Sequence, residues 1–275
     1  MSGPLITGQV GATDDVVGVE LTIDGILVIA DRLDLVDFPT VLGIRPNIPQ
    51  EDLRNLVWNQ VRRDLTAQEV LDRSGRPQPT VAAMVDTLSR PDRILEGRWW
   101  RRDVGGVMTR FAVCRKGEQH VIAARNGDLL VLQLVAAQVG LAGMVTTVLG
   151  PAQPAAVEPL TGLATELAAC TTATQLAKFG LSSASARIYA AIISDPRSWV
   201  EITAAQRRPG GTVTHTEVAA GVLDSTRGRL VSLPRRVGGE LYGSFLPGSQ
   251  ENLQRTLDSL VEFLPSRSWF DPAEH

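Results

Sequence analysis

The chain has 275 residues, 44% of them hydrophobic and 21% charged, with a formal net charge of −3. That composition excludes intrinsic disorder over most of the length and describes an ordinary soluble globular protein, able to bury roughly three quarters of its unfolded surface. The small net charge argues against a polyanionic or membrane partner, and Cys114 and Cys170 have no metal or redox spacing, so they read as core-type thiols in a reducing compartment.

Residues 1–15, rich in Gly, Ser, Thr and Asp, read as a flexible start without the basic opening and apolar core of a secretory signal. Residues 16–23 alternate Val17, Val19, Leu21 and Ile23 with smaller or polar neighbours, which predicts a strand. Asp24 is placed to cap a helix over 25–35, where Ile26, Ile29, Ala30 and Leu33 share one face. After a short apolar run at 38–43, Pro46 and Pro49 forbid a helix. Helical spacing resumes over 51–65 through Leu53, Leu56, Val57, Val61 and Leu65. Thr66-Ala67-Gln68-Glu69 has capping-box form and predicts a separate short helix at 68–72. A loop at 74–79 leads to a helix over 80–88, which Pro91 ends.

Strands follow at 93–102, 107–114, 120–125 and 128–135, broken at Gly105-Gly106, Lys116-Gly117 and Asn126-Gly127, and then a helix over 138–149. Residues 129–157 carry no charged side chain and are long enough to span a bilayer. Gln133, Gln138, Gly140, Gly143, Thr146 and Thr147 interrupt them, so a strand plus a buried helix is the reading. A Pro/Ala-rich linker occupies 151–159. Helices are predicted over 160–169, 174–179 and 183–193, then strands at 199–207, 212–223, 229–233 and 240–246. Gly210-Gly211, Thr226-Arg227-Gly228 and Gly238-Gly239 separate those strands. A helix over 250–264 carries Leu253, Leu257, Leu260, Val261 and Leu264 at helical spacing, and the tail 265–275 brings Trp269 and Phe270 for docking.

The two sets are one unit read twice. Gly105-Gly106 falls on Gly210-Gly211 (210 − 105 = 105) and Pro91 on Pro196 (196 − 91 = 105) with no gap, and the same offset sets Leu71 on Leu176, Met84 on Tyr189 and Leu88 on Ile193. The expected fold class is α+β, a central antiparallel β-sheet built from two duplicated meanders with helical bundles and internal pseudo-twofold symmetry. The halves are expected at 16–150 and 151–270, packed as a single compact unit with loose ends at 1–15 and 271–275.

The residues contain no catalytic constellation. There is no Gly-x-Ser-x-Gly elbow, no phosphate-loop Gly-Lys-Ser/Thr, no His-Glu-x-x-His and no dinucleotide fingerprint. His120 and His215 sit on predicted strands out of register with each other, and His275 is terminal. The expectation is a protein that is not an enzyme and takes no cofactor or metal. Charge is uneven: residues 1–40 hold seven acids against Arg32, while 90–116 hold eight bases against Asp92, Glu96 and Asp103. Trp99-Trp100-Arg101-Arg102 has the residue types of a nucleic-acid site, but adjacent tryptophans on a strand point to opposite faces. Only one can then be exposed, and an exposed Trp among arginines serves protein recognition equally well. The reading is no nucleic acid and no membrane insertion.

Residues 18–25 and 26–35, Phe38-Pro39, the 91–99 stretch, Ser198-Trp199-Val200-Glu201-Ile202, Val222-Leu223-Asp224-Ser225, Gly228-Arg229-Leu230-Val231 and Phe245-Leu246-Pro247-Gly248 together resemble the EspG family. These are mycobacterial type VII (ESX) secretion-associated proteins, and the chain is most similar to the branch of the first ESX system, from about Val17 to Phe270. The resemblance implies a cytoplasmic chaperone that grips the tip of the PPE helical bundle in PE–PPE heterodimers, using its sheet and its C-terminal helical bundle. It keeps them soluble and directs them to the secretion machinery, and it leaves self-association of the free protein open. Such a chaperone needs a rigid concave surface of roughly 800 Å² with a polar rim. Period-two alternation nominates Arg101, Asp103, Gln206, Arg208, Thr214, Thr216, Glu217 and Arg229 as outward partner-binding residues, a choice that one bulge would reverse. The duplication alone also admits an enzyme or ligand-binding protein with its site between the two halves.

Overall fold

A computed structural model describes residues 18–270. In chain order its elements are β1 (Gly18–Thr22), α1 (Ile23–Arg32), α2 (Glu51–Ala67), α3 (Pro79–Ser89), β2 (Arg93–Arg101), β3 (Val107–Lys116), β4 (Gln119–Asn126), β5 (Leu129–Val135) and α4 (Gly140–Leu149). After the linker come β6 (Leu160–Leu163), α5 (Ala164–Ala168), α6 (Ala173–Ala177), α7 (Ser183–Ser194), β7 (Ser198–Arg207), β8 (Val213–His215), β9 (Ala220–Ser225), β10 (Gly228–Val237), β11 (Glu240–Pro247) and α8 (Gln250–Val261). The class is α+β, and the run of meander strands closed by a helix occurs twice, as β2 to β5 with α4 and as β7 to β11 with α8. The uncharged stretch from Leu129 is a strand and a helix, and among the described residues no helix is long and apolar enough to cross a membrane. The chain packs as two compact units, one of residues up to Asp92 with Phe111–Ala137, the other of Arg93–Arg110 with Gln138 onward.

In the first unit β5 lies between β1 and β4, antiparallel to both. Asn126 pairs with Leu129, so the turn residues are Gly127 and Asp128, and Gly127 takes the positive φ of 62° that the tight return requires. Arg125 reaches from β4 to the carbonyls of Leu42 (2.5 Å) and Gly43 (2.7 Å) and pins the 3-10 turn Thr40–Leu42. Two local expectations give way. Thr22, not Asp24, caps α1, because its Oγ1 accepts from Gly25 N at 3.0 Å; Asp24 instead accepts from the Trp58 indole at 3.2 Å. No helix forms at 68–72: α2 runs on to Ala67, Thr66 donates to the Arg62 carbonyl instead of capping, and Leu71 bridges Pro77. The apolar spacing of α2 is also only partly used, for Trp58 and Leu65 are buried while Leu53, Leu56 and Val57 stay exposed.

The second unit has the strand order β2-β7-β9-β10-β11-β6, with β8 also on β7. At its centre β2 pairs antiparallel with β7 over its whole length, and Gly97 lies opposite Ile202. Those two residues are 105 apart (202 − 97), the offset of the repeat, so the equivalent strands of the two copies pair with each other about their own equivalent point. β7 then exchanges partners, Ser198–Ile202 on β9 and Ala205–Arg207 on β8. The single strand expected over 212–223 is therefore two. Thr216 breaks it, accepting Ala204 N on its hydroxyl at 3.1 Å while its own N–H donates to the Ala204 carbonyl at 2.8 Å. The helix expected over 160–169 is likewise split, since Leu160–Leu163 joins β11 as edge strand β6 and only Ala164–Ala168 is helical.

Period-two alternation gives this sheet two faces. Arg93, Val200, Ile202, Ala204, Gln206, Val231 and Leu246 share the one on the side of α8 and the chain that follows it. α8 packs on β10 and on α4, where Gln254 accepts from Ala142 N (2.9 Å) and Gln250 from the Thr146 hydroxyl (3.0 Å). The segment after α8 is docked: the buried Arg93 donates to the Ser268 carbonyl at 2.7 Å, Ser266 N donates to Gln206 Oε1 at 3.0 Å, and Trp269 is 3% exposed.

Arg93→Met should free that segment, with Trp269 emission shifting to the red and stability falling by about 1–3 kcal/mol as charged-group hydrogen bonds are lost. A variant whose emission and urea midpoint match the parent would show that the segment is held without Arg93. In the first unit burial holds the His120 imidazole below its usual value, with the Glu118 carbonyl at 3.1 Å opposing. The folded form then binds fewer protons than the unfolded, so stability is lost as the pH falls through about 6.5. Thermal unfolding between pH 7 and 5 should show that loss, and His120→Gln should flatten it.

Candidate functional site

The other face of the second unit's sheet is only partly covered. In register across it run Trp100 opposite Trp199, Arg98 opposite Glu201, and Glu96 opposite Thr203. Trp199 (42% exposed), Arg98 and Glu201 are open, and the two indoles meet at 5.8 Å with planes tilted by 41°. Trp99, one residue away, points to the opposite face, where it is buried beneath the Arg101 guanidinium at 4.5 Å. Under the open row Glu96 is buried, with His215 Nδ1 at 3.9 Å.

Beyond Trp199 the same face falls into a groove of about 560 Å³, walled by Leu167, Ala168 and Cys170 around α5, Leu176 of α6 and Ile193 of α7, with Leu223, Ser232, Pro234, Gly243 and Phe245 from the sheet. Small residues lie opposite one another at its floor and beside it. Gly162 pairs with Gly243, which pairs with Pro234, and Gly221 pairs with Ser232. At Gly162 a Cβ would fall 2.5 Å from the Phe179 ring. Isolated strand glycines of this kind mark a close approach of packing partners.

The bundle is fastened to the sheet by Tyr189 of α7. Its ring meets Phe245 edge-on at 6.4 Å, and its hydroxyl donates toward the carbonyls of Glu158 (2.8 Å) and Phe245 (3.0 Å). Burial pushes this phenol well above its usual value, so it stays a neutral donor. Around it lies the buried cluster of Leu160, Leu176, Leu181, Ala186, Ile192 and Leu230, of which Leu160 and Leu176 also reach the groove.

Of the eight residues that alternation nominates as outward, Glu217 lines the groove, with its carboxylate 3.3 Å from Arg236. Arg101 and Asp103 form a 3.4 Å ion pair at the end of β2, Arg208 is exposed on the β7–β8 hairpin, and Thr214 is half-buried opposite Gln206. Gln206, Thr216 and Arg229 are not outward. Gln206 is 5% exposed and holds the C-terminal segment, Thr216 is spent closing the loop between β8 and β9, and Arg229 is 3% exposed. Arg229 makes a two-pronged pair with Asp224 (2.6 and 2.8 Å) and donates to the Gly150 carbonyl at 3.1 Å, clipping the linker to β10. The physical reason is parity. Gln206 has the even numbering on β7 that faces α8 and its following segment, whereas the odd positions Trp199, Glu201 and Thr203 face the open side. Alternation read from the sequence therefore put Gln206 and Arg229 outward where the structure buries them; Gly243, opposite Gly162 and Pro234, was the available signal for the groove.

Fold and groove together define a sheet-and-bundle scaffold with one face of the sheet partly open. The same fold is that of the Mycobacterium tuberculosis type VII secretion system chaperone EspG5, solved in complex with a PE25–PPE41 dimer, with a TM-score of 0.72 over 93% of this chain and 100% of that one at 19% identity. The EspG family model matches residues 22–259. The chain is 73% identical to the ESX-1 secretion-associated protein EspG1 of Mycobacterium marinum, across 100% of this chain and 98% of that protein, and 72% identical to EspG1 of Mycobacterium tuberculosis, across 98% and 96%. It belongs to the EspG family.

Tyr189→Phe should cost about 1–3 kcal/mol, because two carbonyls lose a buried donor. Chemical denaturation measures this directly, and an unchanged midpoint would mean that the bundle is held by apolar contact alone.

Proposed function

We propose that the chain is a cytoplasmic, non-catalytic chaperone of a type VII secretion system, of the first ESX type, that binds PE–PPE heterodimers at the PPE tip, keeps them soluble and directs them to the secretion machinery. The observation that carries this reading is the open groove beside the C-terminal bundle, lying on a fold shared with a chaperone solved together with a PE–PPE dimer. An apolar trough with a rim of Trp199, Glu201, Arg98 and Glu217 has the anatomy of a protein interface, with an aromatic anchor beside charge that sets specificity. Rigid walls suit cargo that is already folded, since little ordering entropy is then spent on the chaperone's side.

Co-expression with PE–PPE pairs of several ESX systems, followed by affinity capture and size-exclusion chromatography, should yield a complex holding one copy of each chain with pairs of the first system. Capture of no pair would sink the reading. Trp199→Ala should weaken the complex about thirtyfold, the effect of losing an aromatic anchor worth roughly 2 kcal/mol, without lowering the melting temperature.

A further inference from the structure

A second concavity lies on the α8 side of the sheet, between the end of the β10–β11 hairpin, α8 and the segment after it, with a volume of about 920 Å³. Its lining differs from that of the apolar groove. Arg235, Arg255 and Arg267 line it, with Arg236 at its edge, against the single carboxylate of Glu262.

Two of these arginines have acidic neighbours outside the concavity. Arg236 pairs with Glu217 at 3.3 Å and Arg255 with Glu251 at 3.9 Å, and all four side chains are at least half exposed. Pairs that exposed are weak and yield readily to a competing carboxylate. Arg235 and Arg267 are exposed and have no side-chain hydrogen bond or ion pair among the described residues. A basic pocket is therefore set into a chain whose formal net charge is −3. That balance disfavours a long polyanion, which the rest of the surface would repel, and favours a short acidic segment that the guanidinium forks match.

The two concavities adjoin at β10. Leu233 and Pro234 line both, and the Glu217–Arg236 pair joins the rim of one to the rim of the other. We propose that the basic pocket takes an acidic, extended segment of the same cargo that occupies the apolar groove, so that cargo is held across the β10–β11 hairpin, by apolar contact on one side and by carboxylates on the other. The inference rests on the cargo reading above.

The test uses the full chain and Arg235→Glu/Arg267→Glu, a pair of substitutions at side chains without protein partners, whose fold circular dichroism and melting verify. A fluorescein-labelled hexa-glutamate peptide followed by anisotropy should bind the parent at low salt. Binding should weaken as ionic strength rises, fall about tenfold or more in the double variant, and be unaffected by Trp199→Ala. Affinity capture of first-system PE–PPE pairs should fall in parallel in the double variant. No peptide binding, or tighter binding of inorganic phosphate or of a single-stranded oligonucleotide than of the peptide, overturns the proposal. So does undiminished capture of cargo by the double variant, which would leave the cargo reading standing. Capture of no pair by the parent instead removes the cargo reading, and this proposal with it.

Discussion

The pairing of β2 with β7 is the constraint on which the rest of the second unit depends. Once Gly97 lies opposite Ile202, every residue of both strands is committed to a face. Trp100 and Trp199 meet on one side, while Arg93 and Gln206 turn to the other and hold the segment after α8. A slip of β7 by one residue against β2 would bring Gln206 to the open side, away from Arg93, and bury Glu201. The partner exchange of β7 is the second consequence. Its first half continues the sheet into β9, whereas its last residues take the short β8, and Thr216 satisfies the backbone at the junction.

The groove is an open trough, and buried polar groups hold its walls. Tyr189 ties α7 to β11 through the Phe245 carbonyl and to the linker through that of Glu158, and Arg229 with Asp224 ties the linker to β10. Each is a buried polar group whose partners are supplied by main chain or by an opposite charge, the condition under which burial of such groups is tolerated. Between those ties the floor is glycine, serine and proline, so apolar walls rise from a low base and leave a trough instead of a packed layer.

On the reading proposed above, the groove would leave no short motif in the sequence. Catalysis demands particular groups at particular spacings, and so leaves short signatures; an interface of walls and rim is written in exposure and parity. Trp199, Glu201 and Arg98 acquire meaning only when they stand in register on an uncovered face.

The sequence by itself determined the α+β class, the repeated meanders with their closing helices, the hairpin glycines and the offset of 105 that reappears between Gly97 and Ile202, because these rest on local period and turn chemistry. It also carried the family, through similarity spread over the length of the chain. Local signals misled where a competing partner was distant in sequence. Asp24 looks like a cap but is claimed by Trp58, residues 160–163 read as helix but find an edge on β11, and the capping-box letters at 66–69 fall inside a helix that had not ended. The face of the sheet was decided by tertiary structure alone. Alternation states that Gln206 and Glu201 point to opposite sides but not which side is covered, and that follows from where α8 and its following segment pack.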